Sequence, residues 1–168
     1  DSGLMQTKLN SKSVQNLMIQ ALETHSDENY DTAILFYSRI LSLNPDEKIR
    51  SIIYNHRGMA YFILDKIKLA ESDFSAATQA DPSNFRAYNN RSACRRLSDQ
   101  FELAREDALC SLKIKPDQAD AFHQLSRCLG ALEQYEEAAG CCKKALLIEP
   151  NRSDIEKYLR KLRVKQLS

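Results

Sequence analysis

Read for its hydrophobic and polar positions, the chain repeats itself. Pro45, Pro82, Pro116 and Pro150 are spaced by 37, 34 and 34 residues, and the apolar pattern keeps the same register. Counting back from each proline, position 28 holds Leu17, Tyr54, Tyr88 and Phe122, and position 24 holds the small residues Ala21, Gly58, Ser92 and Ser126. Position 15 holds Tyr30, Ile67, Phe101 and Tyr135; position 12 holds Ala33, Ala70, Ala104 and Ala138; position 8 holds Tyr37, Phe74, Ala108 and Cys142. A fixed period of this size marks an architecture in which each unit buries its face against the next.

The columns fit one pair of antiparallel helices per unit. A small residue on each helix lets the backbones approach, and large apolar residues fill the flanks. The expected helices are 14–26, 30–43, 46–64, 67–80, 84–97, 101–114, 118–131 and 135–148. Proline is expected to stop each outgoing helix and start the next as its first residue. Asn44 and Glu47 read as a capping box for the third helix. Three extra residues before Tyr54 should lengthen that helix by about one turn.

A ninth helix follows, where Ser153-Asp154-Ile155-Glu156 reads as a capping box and Ile155, Tyr158, Leu159 and Leu162 form an apolar stripe. Residues 152–168 carry six basic and two acidic residues, a net +4 that leaves −3 for the rest of the chain. Such a helix suits the end of a repeat array, where it covers the last unit's core. A basic helix for membranes or calmodulin fits less well, because the stripe is narrow and acids are mixed into it. The expected plan is a flexible segment 1–13, repeats at about 14–47, 51–84, 85–118 and 119–151, and a capping helix 152–168.

Composition narrows the class. The 168 residues suit one domain, and 43% hydrophobic residues exclude disorder. Four glycines and four prolines are too few for the turns of an all-β protein or the loops of a large α/β enzyme, so the fold is expected to be all-α. A net charge of +1 gives no field favouring nucleic acid. The five cysteines form no Cys-x-x-Cys pair and the three histidines are more than thirty residues apart, so no metal or other cofactor is expected. An odd cysteine count, without a signal-peptide-like or membrane-spanning run, points to the cytoplasm, with the nucleus as the alternative. Because the first residue is Asp1, the sequence reads as a piece of a longer protein.

Tyr54-Asn55-His56-Arg57-Gly58 with Tyr61, Ala70, Phe74, Ala77 and Pro82, and Tyr88-Asn89-Asn90-Arg91-Ser92 with Ala104 and Pro116, resemble the tetratricopeptide repeat, a 34-residue helix-turn-helix. The resemblance covers about residues 14–150 as four repeats plus the capping helix. Repeat one departs from the pattern at Leu17, Gln20 and Thr24, where bulkier or aromatic residues are usual. The resemblance implies a right-handed α-α superhelix, or solenoid, that is not an enzyme. It also implies an adaptor or scaffold whose first helices line a concave groove for a partner's peptide or helix.

Helix geometry then selects the groove residues, since positions three and four apart share a face. Away from the packing columns lie Met18, Ile19 and Leu22; Asn55, His56, Met59 and Phe62; Arg86, Asn89, Asn90 and Arg96; and Asp120, His123, Gln124 and Arg127. The N-terminal half is apolar and the C-terminal half bears arginines, so the simplest ligand is amphipathic with an acidic part. His56, Asn90 and Gln124 share one column, broken by Ile19, and resemble a polar ladder that holds a peptide backbone. Solvated surface explains them equally well.

The family's clamp for a chaperone's acidic C-terminal tail is not recognisable. On repeats one to three its positions hold Met18, Leu22, His56, Arg86 and Asn90, and on repeats two to four Asn55, Met59, Asn90, Asp120 and Gln124. Co-chaperone-type docking through a divergent clamp stays open, as do self-association within a complex and a regulatory role beside an enzyme elsewhere in the parent chain. No phosphate loop or His-Glu-x-x-His motif occurs, and Cys94, Cys128 and Cys142 stand where buried small hydrophobes belong.

Overall fold

The computed structural model describes the backbone of residues 2–168 and the side-chain surroundings of Gly3 and residues 11–168. Among the described residues there are nine α-helices and no strand: α1 Ser2–Ser26, α2 Tyr30–Ser42, α3 Glu47–Ile63, α4 Ile67–Ala80, α5 Phe85–Leu97, α6 Phe101–Ile114, α7 Ala119–Ala131, α8 Tyr135–Ile148 and α9 Ser153–Gln166. They fall into two compact units, Asp1–Asn84 and Phe85–Ser168. In each, an odd-numbered helix packs on the even-numbered helix that follows it. At 17 residues against 13 for α5 and α7, α3 has the extra turn expected from the insertion.

Three local expectations are corrected. Residues 2–13, expected to be a flexible segment, are helical as the first half of α1, and Asp1 lies outside the described residues. The N-cap of α3 is Asp46, whose Oδ1 accepts from the Ile49 amide at 2.9 Å, whereas Asn44 is in the left-handed region with φ 49°. The prolines lie in the connections rather than at the first helical position, and Ser153 is the first residue of α9, after an N-cap at Arg152 that makes no side-chain cap bond. In the last two cases the helix begins a residue or more beyond the proline, after the chain has crossed from one pair to the next.

Within each pair the turn is the same. Glu28, Asp65, Asp99 and Glu133, each 17 residues before its proline, have φ of 59°, 59°, 59° and 61°. The following amide donates back to the carbonyl five residues earlier, as in Lys66 N to Tyr61 O at 2.8 Å and Gln134 N to Leu129 O at 2.9 Å. This is the left-handed helix stop that glycine usually fills. Here acidic residues hold it, at about 1–2 kcal/mol each, and the chain's poverty in glycine follows.

The small-residue column sets how closely each pair packs, and its partner column compensates in volume. Gly58 faces Phe74, whose ring would lie 2.7 Å from a Cβ at that position. Where the partner shrinks to Ala108 or Cys142, the small position grows to serine. Ser92 Oγ donates to Ala104 O at 2.6 Å, Ser126 Oγ donates to Ala138 O at 2.9 Å, and Ser126 Oγ also lies 2.9 Å from Cys142 Sγ. Both hydroxyls are buried yet satisfied, which removes the cost of burying them.

Two pairs are also bolted by ions. Arg57 donates from Nε and Nη2 to Asp73 at 2.7 and 2.8 Å, joining α3 to α4. Thirty-four residues on, Arg91 donates likewise to Asp107 at 2.9 and 2.7 Å, joining α5 to α6, and Arg95 adds a third bond at 2.9 Å. In α7 and α8 the same two columns hold Leu125 and Cys141, so that pair replaces the ions with apolar contact. At the end of the second unit, α9 lays Ile155, Leu159 and Leu162 onto Leu125, Leu129 and Cys142, as a capping helix should. Fully burying such a side chain is worth about 1.5–3 kcal/mol.

Candidate functional site

The residues singled out for a groove lie on the odd-numbered helices, and each unit presents its own set. In the first unit, Ile19 and Leu22 are exposed, while Met18 is half-buried and packs on the core beneath. On α3, Met59 and Phe62 are half-buried. Asn55 is only 6% exposed, with its Nδ2 3.8 Å from Met59 Sδ, so it supports Met59 rather than facing outward. The His56 ring stacks on Tyr37, with centroids 5.9 Å apart and planes 14° apart, and meets His25 edge-on at 6.2 Å. His25 Nδ1 lies 3.1 Å from the Tyr37 hydroxyl. Burial pushes the Tyr37 hydroxyl up to about 12 and lowers the His25 pKa below its usual 6.5. This face is thus aromatic and apolar, with His56 held by rings.

In the second unit the face is polar. Arg86 is exposed and stacks over Phe85, its Cζ 4.8 Å from the ring centroid. Asn89, Asn90, Arg96, His123, Gln124 and Arg127 are all half-buried. Three of their atoms, Asn89 Oδ1, Arg96 Nε and Gln124 Oε1, are buried with no hydrogen-bond partner. An unsatisfied buried polar group costs about 1–3 kcal/mol, so three on one face mark it as different from the paired interior. His123 is kept below its usual pKa by burial and then by the Arg127 charge, although Asp154 Oδ2 lies 3.6 Å from its Nδ1.

Asp120 turns away from that task. It accepts from Arg152 at 2.8 Å, and the same guanidinium reaches Glu149 at 3.0 Å and Asp154 at 2.9 Å. This fan ties the start of α9 to the start of α7. It holds the Asp154 carboxyl well below the usual carboxylate range.

Beside Arg96 and Arg127 is a cavity of about 230 Å³, also lined by Phe101, Gly130, Tyr135, Tyr158, Lys161 and Lys165. At its wall Gly130 lets Tyr158 come close to α7, because a Cβ there would run into the Tyr158 hydroxyl. The α9 contribution was missed in the sequence, where that helix read only as a cover. Its signal was present in the net +4 of residues 152–168 and in the spacing of Tyr158, Lys161 and Lys165, three and four apart on one face. Among the described residues no group of three or more His, Cys, Asp or Glu is placed to hold a metal ion, and no helix is long and apolar enough to cross a membrane.

Comparison with known proteins bears on the family. A sequence profile of the tetratricopeptide repeat matches residues 52–84 and 119–152. No curated protein matches significantly. Among solved structures, the first TPR of Spaghetti (RPAP3), bound to the HSP90 peptide SRMEEVD, is similar with a TM-score of 0.70 at 23% identity, over 72% of this chain and 96% of that one. The Arabidopsis OM64 TPR domain is similar with a TM-score of 0.68 at 22% identity, over 70% and 97%. MamA from Desulfovibrio magneticus RS-1 is similar with a TM-score of 0.80 at 18% identity, over 92% and 85%. With residues 52–84 and 119–152 matched directly as tetratricopeptide repeats and the other helix pairs built on the same columns, the chain has the all-α solenoid fold of the tetratricopeptide repeat, four helix pairs and a C-terminal capping helix.

Proposed function

We propose that the chain is a non-catalytic adaptor whose odd-helix faces bind an extended peptide or a helix of another protein. The observation that carries this reading is the set of buried, unpartnered polar atoms on the second unit's face: Asn89 Oδ1, Arg96 Nε and Gln124 Oε1. A peptide backbone supplies both donors and acceptors at the spacing that side-chain amides meet without regard to sequence. The first unit offers Leu22, Met59 and Phe62 for apolar side chains. Preformed helical faces lower the ordering cost of such binding.

An acidic segment suits the arginine-bearing face, since a guanidinium takes a carboxylate with two parallel bonds. One structural neighbour holds an acidic peptide, SRMEEVD. For this chain the preference would rest on Arg96 and Arg127, because the clamp residues of tail-binding relatives are replaced. The free cysteines accord with a reducing compartment, the cytoplasm or nucleus.

The test is capture of partner protein by the whole 168-residue chain and by its Met59→Ala, Asn90→Ala and Arg127→Ala variants, with circular dichroism to confirm the fold. Capture should be lost in the variants while helicity and melting temperature hold. Normal capture by all three would overturn the assignment. Self-association has its own support in the exposed Leu35 and Leu147, at 70% and 83% exposure on α2 and α8. Light scattering that finds only monomer at high concentration would remove that alternative.

A further inference from the structure

The cavity on the second unit concentrates charge of one sign. Arg96, Arg127, Lys161 and Lys165 all line it, and no aspartate or glutamate does. Among the described residues no carboxylate lies within ion-pair distance of any of the four. Elsewhere in the same unit Arg91, Arg95 and Arg152 each have an acidic partner. Arg96 is moreover half-buried with its Nε unpartnered, and burial first and then the Arg127 charge oppose its own. Lys165 also borders a neighbouring cleft with Glu133, Glu136 and Glu137, yet the four cations, none with a carboxylate in ion-pair contact, repel one another.

We infer that this cavity receives a phosphomonoester on a side chain of the partner peptide, an inference that rests on the adaptor reading above. The argument is one of charge, donors and size. A phosphomonoester carries about −1.5 to −2 charge and three acceptor oxygens on one atom. It can therefore meet two guanidinium forks and two ammonium groups at once. A single carboxylate brings one charge and two oxygens, and leaves most of the site unneutralised. About 230 Å³ holds one such head group with part of its stem, and not a run of acidic side chains. Tyr135 and Tyr158 give the stem an apolar wall, with the Lys165 ammonium 5.6 Å from the Tyr135 ring centroid. A peptide is favoured over a lipid headgroup because Asn89 and Gln124, with their orphaned amide oxygens, lie on the same helices as Arg96 and Arg127.

The test uses the whole 168-residue chain and defined probes. Phenyl phosphate, inorganic phosphate and succinate are titrated at matched ionic strength, with side-chain Nε resonances of Arg96 and Arg127 as the readout. Phenyl phosphate should shift both and bind at least about tenfold more tightly than succinate. Arg127→Gln and Lys161→Gln should each weaken it about tenfold, the loss expected when one charged hydrogen bond is removed. Equal binding of succinate would overturn the inference in favour of plain carboxylates, and shifts unchanged in both variants would show an adventitious ion only.

A second arm compares random peptide libraries with and without a central phosphoserine or phosphotyrosine, and vesicles containing phosphoinositides. Preference for phosphorylated peptides that Lys161→Gln abolishes is the expected result. Binding to vesicles alone overturns it. Peptide binding that is indifferent to phosphate and to Lys161→Gln, yet lost in Asn90→Ala, would remove this inference and leave the adaptor reading standing.

Discussion

The ion pair between Arg57 and Asp73 invites a perturbation whose answer the chain already contains. Asp73 is a buried residue whose side chain is 7% exposed, and the Arg57 side chain is 19% exposed. The guanidinium also donates to Ser38 Oγ at 3.0 Å and lies 5.6 and 5.7 Å from the ring centroids of Tyr54 and Tyr61. Asp73→Ala removes the carboxylate and strands the cation among rings, which should cost about 3 kcal/mol at the low end for breaking a buried pair. For a chain of this size that lowers the melting temperature by about 6–12 °C. In the last repeat the same columns hold Leu125 and Cys141, an apolar pair that needs no ions. The double variant Arg57→Leu with Asp73→Cys should therefore recover most of the loss and come within about 1 kcal/mol of the parent. Urea unfolding followed by circular dichroism at 222 nm, run as a double-mutant cycle, gives the coupling energy. If the double variant is as unstable as Asp73→Ala, the claim that the two columns interchange ionic and apolar packing is wrong.

Other predictions are briefer. Gly140→Ala should stabilise by up to about 1 kcal/mol through helix propensity, because a Cβ there meets nothing within 4 Å. Gly58→Ala should destabilise despite the same propensity gain, since Phe74 must move, at about 1–3 kcal/mol; equal effects by thermal melting would contradict the packing account. His25 and His123 have pKa values lowered by burial, so the unfolded chain binds more protons than the folded one near pH 6. Stability should be full above about pH 6.5 and fall as pH drops below it. Denaturation curves at pH 7.5 and 5.5 should show that loss, and His25→Gln with His123→Asn should flatten it.

What was legible in the sequence is what the period carries. The columns of Ala33, Ala70, Ala104 and Ala138 required helix pairs at a fixed spacing, and the helices fall within a residue or two of expectation apart from the start of α1. Connections were less legible. Asn44 and Ser153 have the chemistry of caps, yet capping depends on where the chain turns, which the period does not specify. The face of an odd helix could be read from its spacing, which sets Met59, Asn90 and Arg127 away from the packing columns. Depth along that face could not, which is why Asn55 was taken as outward. The basic cavity escaped because its cations come from three helices, α5, α7 and α9, with Phe101 of α6 and Tyr135 of α8 completing the wall, and only the packing of all five brings Arg96, Arg127 and Lys161 together.

The account's central claim is that partners bind the odd-helix faces and not the even-helix faces. The most direct measurement is calorimetry with a peptide selected on the parent domain from a random library, compared across two sets of variants. Met59→Ala, Asn90→Ala and Gln124→Ala are predicted to weaken binding at least about tenfold, a loss of about 1.4 kcal/mol or more, while Leu109→Ser and Leu147→Ser on α6 and α8 leave it unchanged. Loss of binding in the leucine variants, with full affinity in the first set, would contradict it.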